Sequence, residues 1–303
     1  MSSWCLFEQE AAYLAILLKA QKGIHHLELQ KCTIGLKNIM LALSTQAVSL
    51  SSLCFIESDF DGLYDYLMPL TNLKKLEFKH CLFEKFDLPK SPELALTMPN
   101  LSILRMDEAD VWPEIVEKIL GACTSNMKEI RLGKLLSTPY ENHATLMSTD
   151  AIGIIASRFQ NLTFLKIALE NNRQVPQIIS MFAICRKIET VILCQEGLFT
   201  LNVYETNEML DRLGRNGLPR SLRKFALHGK RWSFTSISLE NFLKPAHSNA
   251  PILKLEILGS LSFTNGHIEA IIRLNQYNKV VDQLILSSDI AKSLNLKRSR
   301  ELD

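Results

Sequence analysis

One pattern constrains this chain more than any other: apolar-x-x-apolar-x-apolar-x-x-(Cys, small or polar), repeated along nearly its whole length. Two copies are clean, Ile24/Leu27/Leu29/Cys32 and Leu73/Leu76/Phe78/Cys81. Eight more align with them, starting at Leu50, Leu101, Met127, Leu162, Ile188, Leu222, Ile252 and Val281. From Ile24 to Val281 the mean step is about 29 residues. A unit of that size cannot bury an apolar face alone, but stacked units build a continuous core. By length the 303 residues would suit two domains of roughly 150 each. The repeat overrides that prior, because such an array grows along one axis.

The step lies in the range of leucine-rich repeats. Each repeat is expected to be a short strand with period 2, a turn, and a helix with period 3.6. The spacing predicts helices on Leu36/Ile39/Met40/Leu43, Ile115/Val116/Ile119/Leu120 (Pro113 near its start), Ile152/Ile154/Ile155/Phe159 (Ser148 or Thr149 as cap), Ile178/Ile179/Phe182/Ala183 and Ile268/Ile271/Ile272/Leu274. The expected fold class is therefore α/β: a leucine-rich-repeat solenoid, an arc or horseshoe. Its parallel strands line the concave face and its helices the convex face, in about ten irregular repeats. We expect a single domain over 1–303, with an N-terminal capping helix in 1–23, repeats over 24–290 and a basic, frayed tail in 291–303. The cap, Trp4–Lys22, carries an apolar stripe of Ala11, Leu14, Leu17 and Leu18. Long steps mark two insertions, Leu135–Ser148 and Leu198–Pro219, which are expected to emerge as loops at the edge.

Composition removes several function classes. With 34 Lys and Arg against 32 Asp and Glu, the net charge is +2, too small to pull the chain onto nucleic acid or an anionic membrane. The seven cysteines show no C-x-x-C spacing, so neither a zinc site nor a disulfide framework is indicated. Buried free thiols are expected, which implies a reducing compartment, cytoplasmic or nuclear. Glu8 and Glu10 precede the first apolar run, where a signal peptide would need basic residues, and no apolar stretch approaches the ~20 residues of a membrane span. The sequons at Asn100 and Asn161 sit beside leucines that must be buried, and are read as accidental.

Alternation within the strands fixes which residues face out. If Leu27 and Leu29 are core, then His26, Glu28 and Gln30 face the concave side. The same register gives a central column of Glu28, Cys54, Glu77, Arg105, Arg131, Lys166, Ile192, Ala226, Glu256 and Ile285. A flanking column holds Gln30, Ile56, Lys79, Asp107, Gly133, Ala168, Cys194, His228, Leu258 and Ser287. The middle of this track is basic and its later part apolar, which suits a protein partner with acidic and apolar anchors. The candidate protein-binding residues are Lys75, Glu77, Lys79, Arg105, Asp107, Arg131, Phe164, Lys166, Ile192 and His228. The bland alternative is that the cations merely solvate the sheet and pair with Glu77, Asp107, Glu108 and Glu129.

No catalytic, cofactor or metal residue is assigned. His25 and His26 are adjacent on a strand and face opposite sides, with His25 expected half-buried and His26 exposed. No phosphate-binding glycine loop or nucleophile elbow occurs. Cys54 and Cys194 face the concave side in this register and are the candidate reactive thiols, with no catalytic role assigned. Arg220, Arg223, Lys224, Lys230, Arg231 and Trp232 mix base and aromatic, but the columns hold almost no aromatics on which RNA could stack. A protein partner is therefore expected rather than nucleic acid or membrane.

The motifs Ile24–Cys32 and Leu73–Cys81 resemble the cysteine-containing leucine-rich repeats of F-box proteins. The stretches Leu218–Phe225, Leu239–Leu243 and Pro251–Ile257 are similar to large fungal families of F-box and leucine-rich-repeat proteins. The resemblance covers about residues 11–290 and implies a substrate-recognition role in ubiquitin ligation, without chemistry of its own. It departs from the family at the N-terminus: residues 1–23 are too short for an F-box and lack its Leu-Pro opening. A ligase adaptor is thus expected as partner only if an F-box is supplied elsewhere. The alternative is a freestanding leucine-rich-repeat scaffold or inhibitor with no ubiquitin link.

Overall fold

A computed structural model of the chain describes residues 8–32, 35–60, 67–83, 97–110, 113–133, 149–169, 174–195, 203–229, 232–244, 253–258, 263–277 and 280–286. They fall into two compact units, Met1–Leu162 and Thr163–Asp303.

In the first unit the order is α1 (Glu8–Ala20), β1 (His26–Gln30), α2 (Leu36–Leu43), β2 (Ser52–Ile56), β3 (Asp59–Phe60), β4 (Lys75–Phe83), β5 (Ile103–Asp110), α3 (Pro113–Ala122), β6 (Glu129–Leu132) and α4 (Thr149–Arg158). β1, β2, β4, β5 and β6 lie side by side in chain order and all pair in parallel, while β3 pairs with the end of β4. The motif residues form the core: Leu53, Phe55, Leu76, Phe78, Leu104, Met106, Ile130 and Leu132 are buried, with Ile39, Leu43, Val116 and Ile119 from the helices. Phe55, Phe60, Phe78 and Phe83 form one ring cluster, with centroids 4.8 Å (Phe55–Phe60) to 5.5 Å (Phe60–Phe78) apart.

The residue that closes each clean motif turns inward for a definite reason. Lys31, Glu57 and His80 have φ of 56°, 50° and 52°, a left-handed turn that costs a residue with a Cβ about 1–2 kcal/mol. The turn aims the next residue into the core, so Cys32, Ser58 and Cys81 are buried. There the Cys32 N–H donates to Ser58 Oγ (3.2 Å), and the Cys81 thiol donates to the carbonyls of Lys79 (3.3 Å) and Phe55 (3.5 Å).

A second device recurs just before the strands. The side-chain amides of Asn72, Asn100, Asn126 and Asn161 donate to the carbonyls of Val48 (3.0 Å), Thr71 (3.1 Å), Pro99 (3.2 Å) and Ser125 (3.1 Å). Each amide ties one turn to the turn before it, which gives the sequon asparagines Asn100 and Asn161 a structural role.

In the second unit β7 (Phe164–Leu169), α5 (Val175–Ile184), β8 (Thr190–Gln195), α6 (Val203–Asn216), β9 (Lys224–His228), α7 (Ser236–Leu243), β10 (Leu253–Leu258), α8 (Asn265–Tyr277) and β11 (Val281–Leu286) alternate. Consecutive strands pair in parallel. The Phe225 ring packs against Phe182 of α5 and Phe242 of α7, at 6.3 and 4.7 Å between centroids. Phe225 therefore marks the helix-covered face of this sheet, and its neighbours Lys224 and Ala226 face the opposite, open side.

Several expectations need correction. The insertion Leu198–Pro219 is not simply a loop: within it, α6 buries Thr206, Met209, Leu210 and Leu213. The other insertion, Leu135–Ser148, lies outside the described residues, as do residues 1–7 and the tail 291–303. On α1 the buried stripe is Ala11, Ala15 and Leu18, while Leu17 is 54 % exposed. The tight approach of α2 decides this, since a Cβ on Gly35, before α2, would strike Ala11. On α5 the buried residue is Met181 rather than Ala183, and on α8 Ala270 is buried and Ile272 exposed. His25 is exposed, its Nδ1 3.0 Å from the Ser49 carbonyl. Among the described residues no helix is long and apolar enough to cross a membrane.

Candidate protein-binding face

The register of the sheets places the central column as the alternation predicts. In the first unit Glu28, Cys54, Glu77, Arg105 and Arg131 are successive cross-strand partners. In the second unit Lys166, Ile192, Ala226, Glu256 and Ile285 are. The weak motifs at Met127, Ile188 and Ile252 are thus in register. The flanking column departs at one point: an irregularity after Glu77 pairs Lys79 with Glu108 instead of Asp107. The expected pairing of Lys79 with Asp107 is displaced by one residue on β5.

In the first unit the predicted cations are organised by two carboxylates. Glu77, 5 % exposed, receives Lys75 at 2.7 Å, Lys79 at 3.5 Å and Arg105 at 3.5 Å. Arg105 also grips Glu129 through Nε (2.8 Å) and a terminal nitrogen (3.2 Å), and Arg131 Nε donates to the same carboxylate at 2.5 Å. Burial pushes the Glu77 carboxyl up, but the hydrogen bond and charge of Lys75, with Lys79 and Arg105, outweigh it and hold it below the usual range. Glu129 behaves alike: burial raises it, and the hydrogen bonds from Arg105 and Arg131 win. The strip read as basic is a cross-linked network in which four cations share two carboxylates. Sequence reasoning named Glu129 only as a pairing alternative. Its register opposite Ile103 puts it diagonal to Arg105, within a guanidinium's reach.

In the second unit Phe164 is half-buried against a cluster of Ala168, Ile192, Cys194 and Ala226, all on the open side of the sheet. Beside it, His228 Nε2 lies 2.9 Å from Glu256 Oε1, and Lys224 Nζ 2.5 Å from Glu256 Oε2. Burial lowers the His228 pKa, against the hydrogen bond and charge of Glu256, which act upward. For Glu256 burial acts upward, but Lys224 and His228 hold the carboxyl low. Lys224 and Glu256 were not singled out from the sequence as binding residues. Their signal was the same alternation that placed His228.

Cys54 and Cys194 face the open side as expected, yet both are buried, at 2 % and 4 % exposure. Burial, with Glu77 beside it, pushes the Cys54 thiol up. Trp232, proposed in the basic cluster, is 1 % exposed and donates its indole N–H to the His228 carbonyl (2.9 Å), so no base can stack on it. Among the described residues no His, Cys, Asp or Glu group is arranged to hold a metal ion. No family model matches the chain, and no characterised protein was found to match its sequence.

Proposed function

We propose that the chain is a leucine-rich-repeat solenoid of about ten irregular repeats that recognises another protein through the open, concave face of its strands, without chemistry of its own. One observation carries the reading: a single sequence register accounts for the cross-strand partners of the central column within each unit. A face built from consecutive parallel strands presents long rows of side chains at fixed spacing, about 4.8 Å from strand to strand. On this face ionic side chains are held in place by Glu77, Glu129 and Glu256, so little side-chain order remains to be lost on binding.

The resemblance to F-box receptors gives the first specific form of this reading, a substrate-recognition module of a ubiquitin ligase. Affinity purification of the full chain, followed by mass spectrometry, tests it. Adaptor and cullin subunits in the eluate support the ligase form. Their absence, with a partner that is lost when Arg105, Arg131 and Lys166 are changed to Glu, leaves a freestanding recognition module. A partner set indifferent to those three changes contradicts the choice of face.

A further inference from the structure

The apolar motif is closed less well at Ile24 than at the copies that follow it in the Met1–Leu162 unit. In those copies the two leading positions are fully buried: Leu50/Leu53, Leu73/Leu76, Leu101/Leu104 and Met127/Ile130 all stand at 0 % exposure. Their counterparts Ile24 and Leu27 are only half-buried. β1 pairs with β2 on one edge, and among the described strands nothing pairs with its other edge. The core of this unit therefore reaches the surface at the β1 end.

α1, which packs on α2, has an unusual outer face for a helix at the end of such an array. An end helix normally turns a polar surface outward. α1 buries Ala11, Ala15 and Leu18 on one side, but its other side carries Tyr13, 71 % exposed, Ile16, 63 %, and Leu17. Gln9, Tyr13, Ile16 and Ala20, all exposed, follow one another at steps of four, three and four residues. That is the spacing of a seam along which one helix packs on another.

The charges beside the seam say which helix fits. Glu8 and Lys19, both exposed, are eleven residues apart, about three turns, so they stand on one line at opposite ends of α1. Glu10 and Gln21 have the same separation on the other flank, and the Gln21 N–H continues the helix to the Leu17 carbonyl (3.1 Å). Lys22, just beyond, adds a second cation at the Lys19 end. A second α1 laid antiparallel brings Glu8 of each copy to Lys19 of the other, and Glu10 to Gln21. A parallel one would set Glu8 against Glu8 and Lys19 against Lys19. The antiparallel arrangement also opposes the two helix dipoles.

We propose that the full chain self-associates as a twofold dimer through α1, with the two helices antiparallel and Tyr13, Ile16 and Leu17 closed between them. The contact is isologous: the same patch serves both copies. Two short helix faces make a small interface, so the dimer dissociates on dilution. The proposal does not depend on recognition through the open face of the strands.

Sedimentation of the full chain over a range of concentrations tests it. The mass should rise from 34.4 kDa toward twice that value as concentration increases. Ile16→Glu with Leu17→Glu should hold the chain as a monomer with the parent's circular-dichroism spectrum, because both side chains are exposed in the single chain. Ile237→Glu, at an equally exposed apolar residue of α7, should leave the dimer intact. The charges give a sharper test. Glu8→Lys and Lys19→Glu should each weaken self-association about tenfold, since two exposed pairs turn from attraction to repulsion. Mixed together, the two variants should dimerise as the parent does, because both pairs across the contact are again opposite in sign. Three results overturn the proposal: a monomer at every concentration; self-association that survives the Ile16/Leu17 change or is lost with Ile237→Glu; or charge reversals that have no effect or that mixing does not rescue.

Discussion

Glu77 and Arg105 are direct partners across β4 and β5, and the Arg105 guanidinium spans from Glu77 (3.5 Å) to Glu129 (2.8 Å) on the two flanking strands. Three strands are thus clipped together on the open face by one side chain. Glu77→Gln should remove the anchor of Lys75, Lys79 and Arg105. The cations are partly exposed and regain water, so the cost is about 1–2 kcal/mol. The folded pKa of Glu77 lies below its unfolded value. Its contribution is therefore fully present above an unfolded pKa of about 4.3 and is lost as pH falls through the folded pKa. Urea unfolding at neutral and acidic pH should show the penalty of Glu77→Gln at neutral pH and its disappearance in acid. An equal penalty at both would contradict the network.

His267 opens α8 with both ring nitrogens used. Nδ1 accepts from the Thr264 N–H at 3.0 Å, and Nε2 donates to the Phe234 carbonyl at 2.9 Å. The ring stacks on Phe263 and meets Phe234 edge-on. Burial lowers its pKa, against the hydrogen bonds it makes with the backbone of Phe234 and Thr264. Protonation would destroy the Nδ1 acceptor and charge a buried ring. The stability it contributes is present above an unfolded pKa of about 6.5 and is lost as pH falls from there through the folded pKa. Unfolding measured from neutral to mildly acidic pH should show this loss, and His267→Gln should flatten it. An unchanged slope in the variant would contradict the assignment.

Gly214 lets α6 and α7 touch. A Cβ placed there would run into the Asn241 carbonyl, and Asp211 one turn earlier receives the Asn241 amide at 3.0 Å. In an ordinary helix interior Gly→Ala gains about 1 kcal/mol. Here overpacking of about 1–3 kcal/mol opposes it, so Gly214→Ala should lower the thermal midpoint, where Gly153→Ala, with open space around it, should not.

Cys123 is buried enough that its thiol is pushed up to about 12, and Cys32, Cys81 and Cys185 to about 11. Thiolate is the reactive form. Site-resolved alkylation should find these four inert in the native protein at mildly alkaline pH and fully modified once it is unfolded. Rapid native labelling of any of them would mean that its unit opens locally.

The parallel strands and their register were legible because strand alternation is rigid. Once Leu27/Leu29 and Leu76/Phe78 are assigned to the core, Glu28 and Glu77 have one face left, and the weaker motifs follow in step. What was not legible has local causes. The register slip that replaces Asp107 with Glu108 opposite Lys79 is a backbone irregularity that leaves no mark in the pattern of apolar residues. Gly214, Asn216, Gly217 and Pro219 read as loop signals, but Gly214 and Asn216 lie in the last turns of α6, with Gly217 in the left-handed region just beyond (φ 77°). Gly214 in particular marks a close helix approach and not a turn. The charge balance of the open face was hidden because Glu129 reaches Arg105 from a neighbouring row, a diagonal relation that no column of aligned positions displays.

The most direct test of the account is a lysine-acylation footprint of the full chain, alone and bound to a protein partner recovered with it. Recognition through the open face predicts that Lys75, Lys79, Lys166, Lys224 and Lys254 lose reactivity in the complex, in one unit or in both, while Lys19, Lys37 and Lys118 on the helices keep theirs. Protection confined to the helix lysines, with the strand lysines unchanged, would contradict it.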